Sequence, residues 1–173
     1  MMHRVYGLFV ACIASTLALG VATASAQQIS AAPVTVAVAD FDFRDPSAGT
    51  SDRDTVHQER LRAFAKLIRD ELTNSGRYRA VALACKQPPC SAGETDADTM
   101  VGDAKAAGAR LLMFGGIQKL STLIQYLKVE VVDVDNNKLV FDRLMSMRGD
   151  TDDAWHHAGT YLVRDLVEQN LPR

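Results

Sequence analysis

Cysteine is scarce in this chain, and what there is has no company that would make a metal or redox centre. Only three cysteines occur in 173 residues, at positions 12, 85 and 90. No CxxC pair is present, and no further Cys or His lies near Cys85 and Cys90 to complete a zinc site. HExxH, a P-loop or dinucleotide-type Gly-rich loop, and a Ser or Cys nucleophile in a recognisable setting are all missing. These absences remove the motif-bearing hydrolases, nucleotide binders and zinc enzymes. Charge of one sign is missing as well: 19 basic against 21 acidic side chains give a net −2. Neither nucleic acid nor an anionic membrane surface is implied as a partner. There is no internal repeat or low-complexity tract, and the composition is that of an ordinary soluble globule.

What is present begins with an export signal. His3 and Arg4 precede an apolar run over residues 5–21, and Ala24-Ser25-Ala26 supplies the small residues that a signal peptidase reads. The run is Ala/Gly-rich and shorter than the roughly 20 apolar residues that a membrane-spanning helix needs. Lipidation at Cys12 would require a lipobox, which Phe9 fits poorly. The expectation is a signal peptide over residues 1–26, cleavage before Gln27, and a single α/β domain over 27–173. The product would be periplasmic, with no transmembrane anchor after processing. In that oxidising compartment Cys85 and Cys90 are expected to form a disulfide closing a short loop.

Hydrophobic patterning gives the order β-α-β-α-β-β-β-α. Residues 34–43 form a β-rich run ending in Ala-Asp-Phe-Asp-Phe, followed by a polar loop to residue 54. Leu61, Phe64, Ala65, Ile68 and Leu72 form one apolar stripe of a helix over 55–74, stopped by Gly76. A second strand is expected from 78 to 84. Asp96 or Asp98 caps a short helix closed by Gly108. Leu111-Leu112-Met113-Phe114 is apolar on both faces, as a central strand requires. A hairpin follows over 122–147. An Asn136-Asn137 two-residue turn would set Glu130 opposite Arg143, whereas a shift by one would oppose it to Asp142. The last helix starts near Thr151 and buries Trp155, Ala158, Gly159, Leu162 and Leu166. The fold class expected is therefore a mixed sheet of about five strands with helices packed on it.

Candidate site residues gather at one sheet edge. Asp40 and Asp42 alternate with Phe41 and Phe43, so both face one side at the C-terminal end of the first strand. There they suit acid–base work or a hard cation, or else cap neighbouring backbone. Gly115 and Gly116 end the central strand and mark either an anion's approach to the backbone or a bend. Arg44, Lys119, Ser121 and Thr122 lie just beyond the same edge. His57, His156 and His157 read as helix-surface residues, the adjacent pair pointing about 100° apart. No catalytic residue, metal site or cofactor is assigned.

Three segments carry a resemblance: Val36-Ala37-Val38-Ala39-Asp40-Phe41, the helix-to-strand turn over 72–81, and the run over 104–116 containing Gly108-Ala109 and Gly115-Gly116. Together they resemble the N-terminal domain of TolB and the related CsgG and LpoB envelope proteins. The ending Phe141-Asp142-Arg143 with residues 146–155, and the segment 119–124, are similar to a family of small secreted bacterial proteins of unknown function. The first resemblance implies a non-catalytic domain that works by contacting other envelope proteins; the second implies no activity. The expected function is a periplasmic, non-enzymatic binding or adaptor protein. The alternative is a small-molecule or metal-binding accessory protein of a periplasmic enzyme or transporter.

Overall fold

The run over residues 34–43, expected as one strand, is two. In the computed structural model, which describes residues 32–46, 55–169 and 171, β1 spans Val34–Val38 and β2 spans Asp42–Arg44. Both lie parallel to the nine-residue β4, Leu111–Lys119, with Val38 opposite Met113 and Asp42 opposite Gly116. Residues 39–41 thus stand against only Phe114 and Gly115, one residue too many. The cause is visible in the bonding: Ala39 N–H still donates to Met113, but Asp40 N–H donates to Cys90 O at 3.0 Å. The extra residue reverses the side-chain alternation. Phe41 and Phe43 thereby join Val36 and Val38 in one core, while Ala37 and Ala39 serve the other.

The remaining elements are α1 (Thr55–Asn74), β3 (Tyr78–Ala82), α2 (Ala97–Ala106), β5 (Ile124–Asp133), β6 (Lys138–Arg148) and α3 (Asp152–Glu168). Among the described residues the sheet has six strands in the order β3-β1-β4-β5-β6, with β2 on the β1 side of β4. β1 to β4 are mutually parallel, and β5 and β6 are antiparallel. The larger core lies between one sheet face and α1 with α3; Leu61, Phe64, Ile68 and Leu72 meet Trp155, Leu162 and Leu166 there. A smaller core under α2 uses Met100, Ala104 and Leu112 on the other face. The expected stripes of both long helices are the buried ones. Asp96 caps α2, accepting from Thr99 N–H at 2.9 Å, and Thr151 caps α3, accepting from Ala154 N–H at 3.2 Å.

Three expectations need correction. Gly115-Gly116 neither ends β4 nor makes a bulge in it: the register with β5 runs unbroken from Leu111 opposite Asp133 to Lys119 opposite Gln125. A Cβ on Gly115 would lie 2.2 Å from Lys128 O, so the glycine allows two backbones to approach. The hairpin turn has four residues, not two: Asp133 pairs with Lys138, and Glu130 faces Asp142 rather than Arg143. Asp133 Oδ1 accepts from the N–H groups of both Asp135 and Asn136 at 3.1 Å, holding the longer turn. Lys128 bridges Glu130 and Asp142, relieving the like-charge opposition, and Arg143 turns to Asp165 on α3 at 2.6 Å. Finally, His57 is 5% exposed and packed against Phe43, not a surface residue. His156 and His157 are exposed as expected.

Candidate functional site

The C-terminal edge of the parallel strands carries two polar clusters, on opposite faces of the sheet. The first holds the disulfide loop. Cys85 and Cys90 are bonded, with the Cα atoms 5.7 Å apart. Asp40 Oδ2 accepts Cys90 N–H at 2.9 Å. Asp42 accepts the Ser91 hydroxyl at 2.6 Å and Gly93 N–H at 2.9 Å. Both aspartates thus face one side, and both carboxylates bind the loop that follows the disulfide. An open groove of about 770 Å³ runs beside them, walled by Gln58 and Arg62 of α1 and by Pro89 and Glu94. A second, of about 590 Å³, lies between the disulfide loop and α2.

The second cluster centres on Asp150, just before the α3 cap. Its carboxylate meets His57 Nε2 at 2.9 Å, Arg60 at 2.7 Å and Lys119 Nζ at 3.0 Å. Arg60 also pairs with Asp152, and Lys119 with Asp45 at 3.4 Å. Burial by itself would raise the Asp150 pKa, but hydrogen bonds from Lys119, His57 and Gln125 outweigh it and lower it to about 2. Donating that bond to Asp150 raises the Lys119 pKa against desolvation. Beneath the charges lies an aromatic layer: His57 stacks on Phe43 at 3.9 Å, with Trp155 6.0 Å from Phe43. The network joins β2, α1, β4 and α3, four elements remote in sequence.

The candidate residues are therefore divided. Asp40, Asp42 and Gly116 belong to the disulfide-loop side, and Gly115 and Lys119 to the α1/α3 side. Arg44, opposite Gln118 and exposed, lies on the open face beyond α2. Ser121 accepts from Leu123 and Ile124 N–H, bracing the β4–β5 turn, and Thr122 is exposed at its tip. The polar loop over 47–54 and the signal segment lie outside the described residues. Sequence pattern does not single out Arg60 or Asp150, and it places His57 on the helix surface. Asp150, Asp152 and Asp153 stand at the start of α3, where negative charge suits a helix N-terminus, and only the approach of α1 to α3 makes Asp150 a hub.

Around this edge large apolar side chains are uncovered: Leu120 and Leu123 in the turn, Ile124 and Tyr126 on β5, and Leu144 on β6. Leu123 is 71% exposed and Leu144 61%. Ile124, Tyr126 and Leu144 project from the face that α2 leaves open. Among the described residues no three His, Cys, Asp or Glu side chains are placed to hold a metal ion. No helix among them is long and apolar enough to cross a membrane.

A six-stranded mixed sheet with two helices on one face and one on the other is an architecture that solved structures share. The PelC dodecamer from Paraburkholderia phytofirmans is similar at 13% identity and a TM-score of 0.52, over 82% of this chain and 90% of that one. TolB from Acinetobacter baumannii is similar at 14% identity and a TM-score of 0.49, over 79% of this chain but only 28% of TolB. The LpoB C-terminal domain from Salmonella enterica matches at 15% identity and a TM-score of 0.45, over 66% and 82%. At 13% identity the likeness to PelC is one of fold. The chain itself belongs to the family described as "Protein of unknown function (DUF2380)", matched over residues 34–167. No curated protein matches the sequence significantly.

Proposed function

We propose that this chain is a periplasmic binding or adaptor module that docks another envelope protein and performs no reaction of its own. The observation that carries the reading is the apolar surface of Leu120, Leu123, Ile124, Tyr126 and Leu144 at one end of the sheet. Clustered exposed apolar side chains on a soluble domain mark an interaction surface. The charged groups nearby support it, because Asp40, Asp42, Lys119 and Asp150 are engaged in holding loops and helices in place. In this reading Arg44, Ser121 and Thr122 contribute the polar rim, and Gly115 and Gly116 let β4 seat close to its neighbours. Export through a signal peptide cleaved before Gln27 belongs to the same proposal. The groove beside Asp40 and Asp42 is the place for the alternative, a small ligand, but both carboxylates turn to the disulfide loop.

The test uses a photo-crosslinking residue placed at Leu123 or at Leu144 in the exported protein, with Glu168 as a distant control. Both surface positions should trap the same envelope protein, and with the probe at Leu144 the changes Leu123→Asp and Arg44→Glu should abolish the adduct while the thermal melt is unchanged. Arg44 is preferable to Asp42 as the altered residue because Asp42 anchors the disulfide loop. Equal trapping at Glu168, or none at either surface position, would overturn the reading.

A further inference from the structure

The sheet ends in two edges of very different length. β3 has five residues, and short edges resist pairing with foreign strands. β6 has 11, with β5 on one side and, among the described residues, no strand on the other. Its sole irregularity lies at Val140, where the register with β5 shifts between Val131 and Val132. From Phe141 to Arg148 the strand is regular and contains no proline. It ends where Gly149 adopts φ +85°. Such a stretch presents an unpaired row of N–H and C=O groups, a template for another strand.

The side chains of this stretch make a self-complementary pattern. Asp142, Leu144, Ser146 and Arg148 share the open face, opposite Glu130, Lys128, Tyr126 and Ile124 of β5. Arg148 is exposed and has no ion-pair partner among the described residues. Asp142 accepts from Lys128, and a carboxylate retains lone pairs for a second donor. On the other face Arg143 is held by Asp165, clear of the edge.

We propose that two copies of this chain pair through β6, antiparallel, joining their sheets into one continuous sheet. A two-fold interface requires one residue to meet its own copy, and the middle of the regular stretch allows Leu144 or Met145. With Met145 on the axis, Asp142 of each copy faces Arg148 of the other, and Leu144 faces Ser146. With Leu144 on the axis, Asp142 meets Ser146 and Arg148 reaches the irregular Val140, leaving the charges unmatched. The first register is the one the charges select. It sets the two apolar faces side by side, so the surface carrying Tyr126 and Leu144 becomes bivalent.

Sedimentation velocity on the exported protein across a wide concentration range should show a monomer–dimer equilibrium. Arg148→Glu should weaken it by about tenfold or more, because symmetry counts each like-charge pair twice. The double variant Asp142→Arg, Arg148→Glu should recover most of the loss. Independently of those variants, Met145→Cys should give a covalent dimer on mild oxidation, whereas Leu139→Cys should not. A monomer at all concentrations overturns the proposal, including the case in which β6 takes an extended segment of another protein instead. So does an Arg148→Glu variant that dimerises like the wild type, or a dimer that Met145→Cys fails to cross-link.

Discussion

Replacing Asp150 by Asn tests whether the charge hub, rather than the caps and core alone, fastens α3 to the edge of the sheet. The carboxyl is held at about 2 instead of 3.8 by hydrogen bonds from Lys119, His57 and Gln125, which overcome the opposing effect of burial. At about 1.4 kcal/mol per pH unit, that difference makes the ionised form contribute about 2–3 kcal/mol to folding at neutral pH. With 16% of its side chain exposed, Asp150 is only weakly screened. The loss should stay within that range, below the roughly 3–5 kcal/mol typical of stranding a buried charge. Lys119 keeps Asp45 and Arg60 keeps Asp152. Urea unfolding followed through the single, buried Trp155 reports the difference. Because the folded pKa is depressed, the contribution is complete above 3.8 and disappears as pH falls through about 2. The gap between wild type and Asp150→Asn should therefore persist from pH 7 to 5, narrow below 4 and close near 2. A gap under about 0.5 kcal/mol at pH 7, or one that closes between pH 7 and 5, would refute this account of the hub.

Two further outcomes follow from the geometry. Gly115→Ala should cost about 3 kcal/mol in chemical denaturation because its Cβ would meet Lys128 O at 2.2 Å, backbone against backbone. Gly116→Ala, whose Cβ would lie 3.2 Å from Asp42 Cβ, should cost less than about 1 kcal/mol; equal costs would contradict the close-approach explanation. Replacing both Cys85 and Cys90 by Ser should lower stability by about 2 kcal/mol, the loop-closure value for so short a ring. The fold should persist because Asp40 and Asp42 still bind the loop. A near-native circular dichroism spectrum with a lower melting temperature is the expected readout.

Much of this architecture is legible in local pattern. The stripes of α1 and α3, the caps at Asp96 and Thr151, the doubly apolar start of β4 and the Cys85–Cys90 bridge depend on residues within a few turns or strand steps of one another. Local periodicity and spacing therefore determined the three helices, every strand but the divided first one, and the mixed sheet. What required the tertiary structure was each choice made between distant segments. Asp40 bonds to Cys90, and that one contact splits the first strand and turns Phe41 and Phe43 toward α1 and α3. The hairpin register expected from the Asn136-Asn137 turn and one charge pair gives way because the outcome rests on Asp133 holding a longer turn and Lys128 standing between Glu130 and Asp142. His57 and Asp150 lie 93 residues apart, and no local pattern joins them. Short-range preferences establish which residues a helix or strand turns inward. Which charges are left without water, and so must find one another, is decided only when α1, α3 and the ends of β2 and β4 close over the same volume.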